Sequence, residues 1–143
     1  MKNAIFVLTF VLFALTAFAE ETVSADTTQS SQPTTVAYYF YNTNRCSNCI
    51  KIENYTHAAI TQNFAPQLES GKLAWVMKNL DEEENQHFIE DYQLYTKAVI
   101  FVEYMDGKQV KWKNVEKIWD HLADEAAFKD YITKELTTFL EVK

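Results

Sequence analysis

The sequence predicts a mixed α/β domain, a four-stranded sheet with helices packed against it. Two observations carry that expectation. Hydrophobic periodicity alternates between strand-like runs and runs spaced by three and four, giving the order β-α-β-α-β-β-α-α within residues 36–143. Asp106-Gly107 between two apolar segments is a hairpin turn, so the last two strands are antiparallel, whereas the first two are joined through a helix and run parallel.

Val36 to Tyr41 is a continuous apolar and aromatic run, the pattern of a central strand. Ile52, Tyr55 and Ala59, with Ile60 and Phe64 alongside, then recur at helical spacing, and this helix should end near Pro66. Ser70-Gly71-Lys72 reads as a turn and Leu73 to Leu80 as the second strand. Asp81 is expected to cap the next helix, with Glu84 completing a capping box and Phe88, Ile89 and Tyr92 forming its apolar side. Ala98 to Met105 is the third strand and Gln109 to Lys113 the fourth. Two C-terminal helices follow: a short amphipathic one through Val115, Ile118, Trp119 and Leu122, and a last one capped by Asp124.

The ends are organised differently. Residues 1–19 carry Lys2, an apolar run from Ala4 to Phe18 and the small-x-small sequence Ala17-Phe18-Ala19, which reads as a secretory signal peptide. The run is short for a membrane span, which needs about 20 apolar residues. Residues 20–35 are rich in Thr, Ser, Gln and Glu and read as a flexible linker, leaving 36–143 as one domain. The expected location is therefore exported, periplasmic or otherwise extracytoplasmic, with no transmembrane span after signal removal. The chain carries a net charge of −7 and no basic cluster, which argues against nucleic acid and anionic membrane surfaces as partners.

The chemistry concentrates at Tyr38 to Ile52. A strand, a polar loop and a helix start meet there, and Cys46 and Cys49, the chain's two cysteines, occupy the first turn. Their spacing permits a disulfide, and an oxidising compartment allows one at rest. The free amides and positive dipole end of a helix start favour a thiolate, and Arg45 adds a neighbouring cation that would tune the thiol pKa. A thiol of pKa about 8.5 is only about 3% ionised at pH 7, so such tuning decides reactivity. As a structural staple the four-residue loop contributes only about 2 kcal/mol. Two sulfurs can also hold a metal, but His57 lies about 12 Å along the helix from Cys49 by rise alone. His87 and His121 have no ligand spacing either, so no metal and no cofactor is expected.

The element order with Cys46-x-x-Cys49 at the first helix start resembles the thioredoxin superfamily. So do Asn79-Leu80-Asp81, the run Tyr92 to Val102, and Asp106-Gly107-Lys108. More narrowly, Tyr38-Tyr39-Phe40, Arg45-Cys46-x-x-Cys49, Ile52-Glu53, His87-Phe88, Asp91 to Thr96 and Trp112-Lys113-Asn114 are similar to the ArsF family, also called the nitrophenyl compound nitroreductase subunit. The resemblance implies an exported thiol–disulfide oxidoreductase or electron carrier with Cys46 attacking and Cys49 resolving. It implies a partner groove along Ser47, Asn48, Thr96, Lys97 and Ala98, and a protein thiol or disulfide partner, for instance a membrane-bound redox protein. The other reading is a non-catalytic binding module of a membrane-associated redox complex, or metal binding through the cysteines.

Three departures bear on rate. Thioredoxins place a cis-proline where this chain has Ala98, and a non-proline cis bond costs about 3 kcal/mol, which favours trans here. They bury an acid in the first strand at the position of Phe40, and they carry an aromatic residue where Arg45 stands. A slower, partner-restricted carrier is therefore expected rather than a general reductase.

Overall fold

The computed structural model describes residues 34–141, so the segment expected to be a signal peptide and the expected linker up to residue 33 lie outside the described residues. The chain runs β1 (Thr34–Tyr41), α1 (Ser47–Asn63), α2 (Ala65–Glu69), β2 (Leu73–Asn79), α3 (His87–Asp91), β3 (Ala98–Met105), β4 (Lys108–Asn114) and α4 (Glu125–Glu141). Tight 3-10 turns at Glu83–Asn85 and Glu116–Trp119 precede α3 and α4.

The strands form one mixed sheet in the order β2-β1-β3-β4. β1 pairs parallel with β2, Tyr38 opposite Val76, and antiparallel with β3, Tyr38 opposite Ile100. β3 and β4 form the expected hairpin, and Asp106 and Gly107 both take positive φ, 51° and 73°. A primed two-residue turn demands that conformation, which suits the twist of the flanking strands. The mixed α/β class and the four-stranded sheet with flanking helices are as the sequence predicts, and the topology is compatible with a thioredoxin-like arrangement.

Because side chains alternate across a strand, the central strands serve two cores. Ala37 and Tyr39 of β1 and Val99 and Phe101 of β3 face α1 and α4, where they meet Ile52, Ile60, Phe128, Ile132 and Leu136. Phe40 of β1 and Ile100 and Val102 of β3 face the other way, against Leu80, Tyr92 and Leu94, with Phe88 of α3 packed on them. In α1 the buried positions Cys49, Ile52, Thr56, Ala59 and Ile60 form one stripe, and Tyr55 meets Phe128 edge-on at 5.6 Å. In α4 the stripe is Phe128, Ile132, Leu136 and Phe139. Asp124 caps that helix as expected, its Oδ1 accepting the Ala127 amide at 3.1 Å. Lys113 and Glu135 pair between β4 and α4.

Two helices differ from expectation. The segment after Asp81 does not form one capped helix. Buried Asn85 donates from Nδ2 to the Asn79 carbonyl (3.0 Å) and to Glu82 (2.8 Å), which holds residues 83–85 in a 3-10 turn, and α3 starts only at His87. The segment through Val115 and Leu122 is likewise a 3-10 turn followed by bends. Val115 is drawn onto the sheet by its amide, which donates to the Val99 carbonyl at 2.9 Å, and Ile118 is buried one turn later. A spacing of three suits a 3-10 turn as well as an α-helix.

α3 ends in a Schellman motif: the Leu94 amide reaches the Ile89 carbonyl (2.9 Å) and the Gln93 amide reaches Glu90 (3.3 Å), with Gln93 at φ 52°. A side chain is disfavoured in that left-handed conformation. Gln93→Gly should therefore stabilise the protein by about 0.5–1 kcal/mol after allowance for glycine's greater freedom in the unfolded chain. Urea denaturation measures it, and an unchanged or lower midpoint would contradict the strain assigned to Gln93.

Candidate functional site

Cys46 and Cys49 are joined by a disulfide, with their Cα atoms 5.0 Å apart. Cys46 is the N-cap of α1: its backbone is extended, and its Sγ accepts the Cys49 amide at 3.1 Å. A sulfur thus fills the place usually taken by a serine or aspartate oxygen. The first turn of this 17-residue helix contains no acidic side chain to offset its positive end. Cys46 is exposed, whereas Cys49 is 1% exposed. One cysteine of the pair is therefore open to solvent and the other is buried.

The strand below supplies a contact the sequence reading missed. Tyr39, not Phe40, reaches the cysteine turn, its hydroxyl donating to the Cys49 carbonyl at 2.8 Å. Phe40 points to the opposite core and packs on Phe88 and Tyr92. The Tyr39 phenol is pushed up to about 12, chiefly by burial, with Arg45 opposing and Tyr41 adding to the rise. It stays a neutral donor at any ordinary pH.

Arg45 is engaged rather than free. Its guanidinium pairs with Glu53 on α1, and its Cζ lies 4.6 Å from the Tyr41 ring centroid and 5.9 Å from that of Tyr39. The cation expected to tune the thiol therefore has a carboxylate partner, a residue one helical turn beyond Cys49.

Asp81 has a different task from the cap expected of it. Its carboxylate accepts from Asn42 Nδ2 (2.7 Å) and the Thr43 amide (2.8 Å), fastening the loop that leads into Arg45 and Cys46. Asn79 Nδ2 donates to Thr43 Oγ1 at 3.1 Å from the same side. These donors, Asn42 first, hold the Asp81 carboxyl below the usual carboxylate range, and Lys97 lowers it further.

The remaining residues expected to form a partner groove are divided. Ser47 and Asn48 are exposed on the helix start. Thr96 lines a cleft with Asn42, Leu80, Ile89 and Tyr95. With Lys97 and Ala98 it also lines a second cleft, closed on the far side by Asn114 to Trp119. Ser47 and Asn48 line neither cleft, whereas Asn42, in the loop before the cysteines, lines the first cleft with Thr96. Ala98 is buried and pairs opposite Phe40, and no peptide bond among the described residues is cis. Tyr95, 95% exposed, lines both clefts; the sequence marks it within the runs that carry the resemblance but not as a site residue.

The histidines are placed elsewhere. His57 lies by Trp75, His87 pairs with Asp91 (2.7 Å), and His121 lies against Tyr131. Among the described residues no group of three or more His, Cys, Asp or Glu side chains is placed to hold a metal, and no helix is long and apolar enough to cross a membrane.

The fold and the site together define a mixed α/β domain with a Cys-x-x-Cys disulfide at the start of its first helix. No protein-family model matches the chain, and no curated protein matches it. Among solved structures, one described as "Structure of a malarial protein" is similar at 14% identity. That similarity covers 71% of this chain and 96% of the other, with a TM-score of 0.41.

Two outcomes follow from the supporting groups. An unfolded tyrosine ionises near pH 10, whereas folded Tyr39 keeps its proton to about pH 12. Its contribution to stability is complete below pH 10 and falls as the pH rises towards 12, by up to about 1.4 kcal/mol per pH unit. Tyr39→Phe should flatten that alkaline limb in urea titrations at pH 8 and pH 11, and at neutral pH should cost about 1 kcal/mol for the lost hydrogen bond. A limb of the same slope in the variant would contradict the assignment.

Asp81 works in the other direction. Its folded value is lowered, so its contribution is complete above about pH 4 and is lost as the pH falls through the folded value. Asp81→Ala should remove that acid-sensitive component and speed hydrogen exchange at the Thr43 amide. Unchanged exchange at Thr43 would show that the loop does not depend on the carboxylate.

Proposed function

We propose that the protein is an exported, thioredoxin-like thiol–disulfide oxidoreductase that exchanges two electrons with a restricted protein partner through Cys46 and Cys49. The observation that carries this reading is Cys46, an exposed residue at the N-cap of α1 whose sulfur is bonded by the Cys49 amide, with Cys49 buried. A thiolate accepts that hydrogen bond far better than a disulfide sulfur does, and it also interacts favourably with the helix dipole. The dipole contributes about 0.3–2 kcal/mol to such an anion, equivalent to lowering its pKa by as much as about 1.5 units.

In one direction the Cys46 thiolate attacks a sulfur of the partner's disulfide. The Cys46–partner bond forms, the partner's S–S bond breaks, and one partner thiolate leaves. Cys49, once deprotonated, attacks Cys46 Sγ, which forms the Cys46–Cys49 disulfide and expels the second partner thiolate. The pair loses two electrons, the partner gains them, and the two protons lost by the cysteines end on the partner's thiols. The reverse sequence oxidises a partner dithiol. Restriction to particular partners is supported by the missing cis-proline loop, by Ala98 being buried, and by Arg45 occupying the position of an aromatic residue. Export is supported by the leader-like sequence of residues 1–19.

The test is differential alkylation of the fully reduced protein with iodoacetamide across pH 5–10. Cys46 should react at least about tenfold faster than Cys49 at pH 7, with an apparent pKa below 8. Cys49→Ser should accumulate a mixed disulfide with glutathione disulfide at Cys46. Two slow thiols of equal reactivity would overturn the reading.

A further inference from the structure

We propose that Glu53 is a positioning residue that holds the Arg45 guanidinium away from the Cys46 sulfur and thereby sets the reduction potential of the Cys46–Cys49 pair. The inference rests on the redox reading above and goes beyond it by naming the residue that adjusts the couple.

Arg45 immediately precedes the attacking cysteine, the natural place for a cation that stabilises its thiolate. The structure spends that cation elsewhere. Its guanidinium pairs with Glu53, which stands four residues beyond Cys49 on α1, so the two side chains share a helix face. The guanidinium lies over side chains of β1, its Cζ 4.6 Å from the Tyr41 ring centroid and 5.9 Å from that of Tyr39. Cys46 Sγ takes its hydrogen bond from the Cys49 amide instead. Arg45 Nε is buried and has no hydrogen-bond partner, so the guanidinium retains a spare donor while the disulfide is closed. Reduction creates a new anionic acceptor on the adjoining residue.

The carboxylate thus determines how much of Arg45's charge reaches the sulfur. With Glu53 in place, the pair is close to neutral and the thiolate depends mainly on the helix start. Without the carboxylate, the cation is released beside the helix start, the thiolate gains an ionic partner, and the reduced form is favoured. A stabilised thiolate makes the disulfide more oxidising, because reduction is the step that forms it. A direct field from Glu53 would act whether or not Arg45 is present. An effect exerted through Arg45 would not.

A double-mutant cycle on the full chain separates these cases, using the apparent pKa of Cys46 from iodoacetamide alkylation and equilibration with glutathione buffers. Glu53→Gln should lower the Cys46 pKa by about one unit and shift the equilibrium with glutathione about tenfold towards the reduced protein, equivalent to about 30 mV. In an Arg45→Gln background the same substitution should move the pKa by less than about 0.3 unit and the equilibrium by less than about twofold, because the group it releases is gone. Glu53→Asp, which keeps the charge, should return both values most of the way to wild type. Glu53→Ala replaces the amide variant if that one fails to fold, as judged by circular dichroism.

No shift in Glu53→Gln, or an equal shift with and without Arg45, would overturn the proposal. Failure of the redox reading itself looks different: the wild-type thiols would already be slow and alike, before any variant is compared.

Discussion

The hydrogen bond from the Cys49 amide to the Cys46 sulfur is the constraint on which the site depends. It makes a cysteine the N-cap of α1, and so joins the covalent chemistry of the pair to the start of a 17-residue helix. An N-cap must leave the helical backbone conformation while its side chain turns back to the third amide. Cys46 does both, at φ −88° and ψ 164°. The same geometry places the second cysteine inside the first turn and buries it, so the two sulfurs differ in access before any electrostatic effect is considered. The sequence spacing sets the ring size of the disulfide, and the cap makes its ends unequal.

Everything around the cap serves to place β1 under it. β1 is flanked by β2 and β3, and its alternating side chains enter two separate cores. That alternation settles which residue meets the cysteines. Tyr39 shares a face with Ala37 and α1, whereas Phe40 belongs with Phe88 and Tyr92. The loop between strand and cap is fastened from outside by Asp81, at the end of the neighbouring parallel strand, because parallel pairing brings the C-terminal ends of β1 and β2 together.

The parts legible in the sequence were those set by local chemistry. Cys-x-x-Cys after a strand, the Asp106-Gly107 turn, the apolar run from Ala98 and the cap at Asp124 depend on neighbours in the chain, and each is where the residues place it. The parts not legible depend on partners distant in sequence. The acidic run from Asp81 has the pattern of a helix start, but Asp81 binds a loop 38 and 39 residues earlier. A continuous apolar strand such as Val36 to Tyr41 carries no sign of which alternate residue faces which core, so the position below the cysteines was assigned to Phe40 rather than Tyr39. Glu53 was visible as a charge four residues after Cys49, the spacing that puts two side chains on one helix face. Its pairing with Arg45 was not visible, because that contact requires the chain to double back at the cap.

These placements bear on how the second proton is handled. Exchange requires Cys49 to become a thiolate, and its sulfur is buried. The strand position beneath it offers a phenol held neutral far above physiological pH and already donating to the Cys49 carbonyl. The two carboxylates described around the site are committed, Glu53 to Arg45 and Asp81 to Asn42 and Thr43. On the proposed reading, the exposed Cys46 at the helix start forms its thiolate before the buried Cys49, whose proton must leave to the partner or to water. On the redox reading proposed above, the rate of resolution depends on the partner as much as on this domain, which is the physical sense in which that proposal favours particular partners over general reduction.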